Sequence, residues 1–172
     1  MKPNEPQGEP AREKLIQWSD PLVTATRMRE LDGVEALRAM MHGEIPPPPI
    51  AKLFGFRFHA VENGKVQMSL VPDESHYNPL GMVHGGVMAT MLDTAMGCSV
   101  QSTLQQGRGY TTLNISVNYI RAITIATGEV FAEGTVVHAG RSTAIAHGRV
   151  VDASGKLYAT ADTTCMLFNG AS

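Results

Sequence analysis

From Gly85 to Gly107 the chain carries a single charged side chain, Asp93, in the run "GGVMATMLDTAMGCSVQSTLQQG". Met88, Met91, Leu92, Ala95 and Met96 recur at the i, i+3, i+4, i+7, i+8 spacing of a helical core face, and Val87 and Val100 carry apolar character further round the cylinder. A helix with almost no polar side has to be enclosed. The rest of the chain must therefore supply a surface that wraps it.

The flanking sequence supplies strands. "GFRFHAVE" (55–62) and "KVQMSLV" (65–71) flank Asn63-Gly64, a pair suited to a type I′ turn because both of its central residues take positive φ. After the helix come four more strand-like runs, at 110–122, 129–139, 142–152 and 156–168, with "DASGK" at 152–156 as a turn. A hairpin, one long helix and a meander make an α+β domain with an antiparallel sheet.

Ahead of the hairpin lies a different kind of sequence. Residues 1–14 are rich in Pro, Glu, Lys and Gly and read as a mobile tail. Asp20-Pro21 is a helix start, and Asp32 caps a second helix in which Val34, Leu37, Met40 and Met41 recur until Gly43. "IPPPPI" at 45–50 ends any helix, so residues 15–49 form a helical arm and proline linker, read as packing against a domain over 50–170.

Bulk properties exclude several classes of partner. The 172 residues suit one domain with a real core. A formal charge of −2 without a basic cluster gives no footprint for nucleic acid, and no apolar run approaches membrane-spanning length. With no apolar leader and with Cys98 and Cys165 lacking metal-ligand spacing, the reading is a soluble cytoplasmic protein with two reduced thiols.

Asp93 is the position that asks for chemistry. It shares a strip of the helix with Gly86, Ala89, Thr90 and Gly97, small residues that let a ligand or a second backbone come close. Desolvating a carboxylate costs several kcal/mol unless something pairs with it or uses it. A general base or nucleophile in a cleft is one such use. At the helix start, His84-Gly85-Gly86 leaves the amides of Gly85, Gly86 and Val87 without intrahelical acceptors, which is the makings of an oxyanion site.

The joint pattern of Asn78, Gly81, His84, Gly85, Gly86 and Asp93 in "NPLGMVHGGVMATMLD" resembles the signature of hotdog-fold acyl-CoA thioesterases of the phenylacetate-pathway (PaaI-like) type, and "TTLNISVNYIRA" resembles the strand that follows it there. The resemblance covers about 45–170. It implies a hotdog fold, a long central helix wrapped by a curved antiparallel sheet, and hydrolysis of an aryl- or medium-chain acyl-CoA to free acid and CoA. Asp93 would match the catalytic carboxylate, as nucleophile or as general base on water. Gly85 would match the glycine whose amide polarises the thioester carbonyl, and Asn78 the side chain that positions water or the carboxylate.

His84 would shape the loop. Thr112 sits where relatives carry a hydroxyl, with Thr111 as the alternative. Strand parity favours Thr112, in step with Asn114, Ser116 and Asn118. Gly86 and Met88, with Met91, would line the substrate site, and Arg121, Arg141 and Lys156 are the cations available to CoA phosphates. No metal and no cofactor are implied, coenzyme A being part of the substrate. Other readings of the same fold are an acyl-CoA-binding module without turnover and a dehydratase or hydratase.

Spacing adds one constraint. Gly85 and Asp93 are eight residues apart, about 12 Å along a helix axis. One helix cannot bring both to one thioester carbon. A two-fold dimer with shared sites follows, with pairing of dimers into a tetramer left open.

Overall fold

The computed structural model describes residues 10–169. Four helices, α1 (Pro21–Arg29), α2 (Gly33–Met41), α3 (Pro49–Phe54) and α4 (Gly85–Gln101), accompany six strands: β1 (Arg57–Glu62), β2 (Lys65–Leu70), β3 (Arg108–Tyr119), β4 (Val130–Ala139), β5 (Thr143–Asp152) and β6 (Leu157–Asn169). The strands form one antiparallel sheet in the order β1-β2-β4-β5-β6-β3. This is the expected hotdog arrangement, with α4 held on the concave face.

The apolar side of α4 explains its place. Met91, Leu92, Ala95, Met96 and Val100 are fully buried against Val66, Ala132, Val150 and their neighbours on the strands. Close approach is permitted by Gly134 of β4 and Gly148 of β5, which face one another in register. A Cβ on Gly134 would stand 2.3 Å from the Ala95 carbonyl oxygen, and one on Gly148 2.9 Å from the Met96 side chain. The two glycines form a trough in which the helix lies.

The β1–β2 hairpin is present, but its turn is not type I′. Gly64 has φ of 76°, whereas no non-glycine among the described residues has positive φ, Asn63 included. The reason is tertiary: Asn63 Nδ2 donates to the Ser102 carbonyl and the Gly64 N–H donates to Ser102 Oγ. The turn is shaped by docking on the end of α4.

The proline block also departs from expectation, since α3 starts inside it with Pro49 in the first turn, where a missing N–H costs nothing. Of the tail expected over 1–14, residues 1–9 lie outside those described, as does residue 170. On the surface, Arg12 pairs with Glu74 and Lys14 with Asp73, each at 2.7 Å. Cys98 and Cys165 are free thiols. Among the described residues no helix is long and apolar enough to cross a membrane.

The arm is joined to the domain backbone to backbone. The Gly33 N–H donates to the Leu104 carbonyl at 2.9 Å, and a Cβ at Gly33 would fall 1.8 Å from the Gln101 carbonyl oxygen. Asp32 Oδ1 accepts the Gln106 N–H, and Arg38 donates to the Val61 carbonyl on β1. One sheet edge is thereby covered by α2. The other edge, β3, is twelve residues long and open.

Candidate active site

Asp93 lies half-buried on the side of α4 that faces away from the core. Thr112 Oγ1 donates to its Oδ1 at 2.9 Å, and Oδ2 has no partner among the described residues. Thr111 is exposed, so Thr112 is the residue that meets the carboxylate. Thr112 is not in step with Asn114, Ser116 and Asn118, as regular alternation would have it. A bulge at Leu113 breaks the alternation, Leu113 turns outward at 59 % exposure, and beyond it Ile115 and Val117 take the inward face. Asn114, Ser116 and Asn118 therefore point away from Thr112's side.

The start of α4 is more economical than its sequence implies. His84 is the N-cap, and its Nδ1 accepts the Gly86 N–H at 2.8 Å, which requires the ring proton on Nε2. Val87 N–H donates to the His84 carbonyl. Of the three amides expected to be free, Gly86 and Val87 are thus engaged, and only the Gly85 N–H lacks an acceptor among the described residues. Gly86 therefore cannot offer its amide to a ligand while His84 caps the helix. Tyr119 closes over this point, its hydroxyl donating to the Gly85 carbonyl at 3.0 Å.

Asn78 lies on the preceding loop, where its Oδ1 accepts the Leu80 and Met82 amides and its backbone pairs with Met82 and Gly81. This side chain builds the loop that leads to His84. The loop is anchored by His76, whose carbonyl accepts the His84 N–H and whose buried Nδ1 accepts the Asp73 N–H.

Strand and helix run in opposite directions with three fastenings between them: Gly85 to Tyr119, Asp93 to Thr112, and Gly97 against Tyr110, whose hydroxyl occupies the space a Cβ would need. Gly85 and Asp93 are therefore fixed at separate points on β3 as well as on α4. Within one chain they stay about 12 Å apart along the helix axis.

A cavity of about 800 Å³ opens beside Asp93. Thr94, Cys98, Gln101 and Tyr110 continue its wall from Asp93. Burial, and then the Asp93 charge, pushes the Cys98 thiol up to about 12, so it stays protonated and is no nucleophile. Burial first, then the nearby Cys98 and Asp93, holds the Tyr110 phenol well above its usual range.

Met88 and Met91 are not in this wall. They are 5 % and 0 % exposed in the core, because the helical spacing that joins them to Leu92, Ala95 and Met96 turns them toward the sheet and away from Asp93. Arg121 and Arg141 sit at opposite ends of β3: Arg121 donates to the Leu157 carbonyl beyond Tyr119, and the Arg141 carbonyl accepts from Arg108. A single chain cannot aim both at one CoA. Arg121 is at the Gly85 end, while Lys156 stands over the Tyr158 ring.

Sequence reading missed Tyr110 and Tyr119. Tyr110 was discoverable, since it lies two residues before Thr112 on the same face of an extended strand.

The sequence pattern described as "Thioesterase superfamily" matches residues 80–159, a span containing Gly85, Asp93 and Thr112. A phenylacetic acid degradation-related protein of Ralstonia eutropha JMP134, known from its crystal structure, is 31 % identical and superposes with a TM-score of 0.69 over 75 % of this chain and 97 % of its own. The chain belongs to the thioesterase superfamily. Its fold is that of the PaaI-like hotdog proteins: PaaI of Escherichia coli, from the phenylacetic acid degradation operon, superposes with a TM-score of 0.70 over 82 % of this chain and 98 % of that one, at 19 % identity. A 1,4-dihydroxy-2-naphthoyl-CoA hydrolase of Listeria monocytogenes is 25 % identical over 108 residues, 63 % of this chain and 86 % of that protein.

Proposed function

We propose that the protein hydrolyses the thioester of an acyl-CoA, with Asp93 as the catalytic carboxylate. The observation that carries the reading is a half-buried Asp93 lining a cavity, with Oδ1 held by Thr112 and Oδ2 unengaged. Family membership and the CoA-thioester hydrolase from Listeria support the substrate class.

Oδ2 either attacks the thioester carbon or takes a proton from a water that does so. The carbonyl oxygen then carries negative charge, and the Gly85 N–H of a second copy, at the positive end of a 17-residue helix, would donate a hydrogen bond to it. Collapse breaks the C–S bond, and the leaving thiolate of CoA takes the proton that Asp93 drew from the attacking water or, where Asp93 itself attacked, a proton from solvent water. A direct attack by Asp93 leaves an acyl–carboxylate anhydride that water cleaves in a second step.

Because Gly85 and Asp93 cannot meet within one chain, the reading needs two copies. The open β3 edge is the natural seam: a long unprotected strand invites pairing, and β3 carries both Thr112 and Tyr119. Two-fold pairing there sets Asp93 and Thr112 of one copy toward Gly85 of the other. Loop-forming Asn78 and N-capping His84 hold that second half in place.

Asp93→Asn tests the assignment, since it keeps the shape and removes the basic oxygen. Release of free CoA, followed with a thiol reagent, should fall at least about 100-fold in a folded variant. Turnover near that of the parent protein would remove Asp93 from the chemistry.

A further inference from the structure

The cavity beside Asp93 is walled on its far side by the N-terminal arm. Met28 of α1, Leu37, Met40 and Met41 of α2, and Pro47 and Pro48 of the proline linker line it together with Asp93, Thr94, Cys98 and Gln101. These arm residues lie outside the segment matched by the family pattern, 80–159. The arm is held in that place by Gly33 pressed on the Gln101 carbonyl and by the Asp32–Gln106 and Arg38–Val61 hydrogen bonds.

Size and lining decide what fits. A cavity of about 150 Å³ holds a benzene-sized group, whereas this one measures about 800 Å³. The cavity opens to solvent on one side, and a single aryl ring beside Asp93 would leave the stretch toward Gln101 uncovered. Along α4 the wall runs from Asp93 to Gln101, eight residues or about 12 Å. Extended backbone advances about 1.2 Å per bond, so about ten carbons span that length. Methionines from three elements, Met28, Met40 and Met68, give the wall adaptable, polarizable contacts suited to a flexible chain, while the exposed Lys52 and Arg57 bring charge to its lining.

We infer that the arm is the acyl-specificity element of this enzyme, and that the cavity it closes takes an unbranched aliphatic acyl chain of about ten carbons, its thioester end at Asp93 and its tail toward Gln101. This rests on the thioesterase reading for its chemistry, and the arm's part in binding is tested apart from it.

The test uses Met40→Trp, which places a ring into the cavity from a half-buried arm position, and Met28→Trp, which does so from another helix. Two measurements are made: kcat/KM over straight-chain acyl-CoAs from butyryl to palmitoyl with phenylacetyl-CoA beside them, and binding of S-decyl-CoA and S-ethyl-CoA thioethers, which cannot be hydrolysed. The expected result is a parent optimum near decanoyl and a decanoyl-to-butyryl ratio that falls at least tenfold in a folded tryptophan variant, with S-decyl-CoA binding weakened at least tenfold relative to S-ethyl-CoA. Hydrolysis with an optimum at phenylacetyl or butyryl, or with a length profile unmoved in both variants, would overturn the arm's role and leave the thioesterase reading standing. Tight S-decyl-CoA binding lost in the variants, with no hydrolysis of any thioester, would sustain the pocket and remove the activity. Failure of the parent to bind either thioether would overturn the pocket.

Discussion

Thr112 on β3 donates its hydroxyl proton to Oδ1 of Asp93 on α4, at 2.9 Å. The bond fixes the carboxylate's rotamer and reserves one oxygen, so that only Oδ2 is left for substrate or water. A hydrogen bond to a charged group contributes about 1.5–3 kcal/mol. Thr112→Val should therefore lower kcat roughly 10- to 100-fold with little change in KM, and Thr112→Ser should restore most of it. Steady-state kinetics on the best thioester check this, and a Val variant as fast as the parent would dismiss the positioning role.

Gly85 is confined by Tyr119, whose ring a Cβ would meet at 3.2 Å. Gly85→Ala should displace either the ring or the amide. Loss of one oxyanion donor costs about 10²–10³ in kcat, and a fall toward that size is expected. Tyr119→Phe removes only the hydrogen bond to the Gly85 carbonyl and should cost far less. Equal losses in the two variants would point to the Tyr119 hydroxyl as the working group.

The helix, the hairpin and the run β4-β5-β6 were legible in the sequence because each depends on neighbours in the chain: apolar spacing makes α4, and alternation with turn residues makes the strands. The expected four-strand meander is not what forms, since β3 crosses to the far edge beside β6 and β4 pairs with β2 instead. Asp93 stood out for the same reason, as the one charge on an otherwise apolar run. What was not legible depends on contacts made at a distance. The Asn63-Gly64 turn takes its shape from Ser102, and the bulge at Leu113 resets which residues of β3 face inward. The arm becomes a cavity wall only once Gly33 has docked on Gln101, whereas the core position of Met88 was already given by its helical spacing and ruled against its place in the substrate site. Proline at the first turn of α3 was a local signal, hidden by the prolines before it.

The docking of Gly33 makes a stability prediction. A methyl group there would stand 1.8 Å from a backbone oxygen that cannot rotate aside. Gly33→Ala should cost about 1–3 kcal/mol through overpacking, lower the melting temperature by several degrees, and speed tryptic cleavage after the exposed Arg27 and Arg29 of α1. Unchanged melting and cleavage would mean that the arm is not held by this contact.

His76 gives a pH dependence. Burial lowers its imidazole below the usual value of 6.5, outweighing the Asp73 carboxylate, which raises it. The folded state then binds fewer protons than the unfolded chain. Its contribution is fully present above about pH 6.5 and is lost as pH falls from there toward the lowered folded value. The urea midpoint should decline over that window, and His76→Asn, whose Oδ1 can take over from Nδ1, should flatten the decline. An equally steep decline in the variant would assign it to other groups.

The shared site is the claim on which the mechanism stands, and complementation measures it. Gly85→Ala and Asp93→Asn, each inactive alone, are unfolded together in equal amounts and refolded as a mixture. In a mixed dimer one site carries both lesions and the other pairs the intact Asp93 of one copy with the intact Gly85 of its partner. Half of the dimers are mixed and half of their sites are intact, so activity should return to about a quarter of the parent value. If mass spectrometry shows mixed dimers and no activity returns, each site is built within a single chain and the account is wrong.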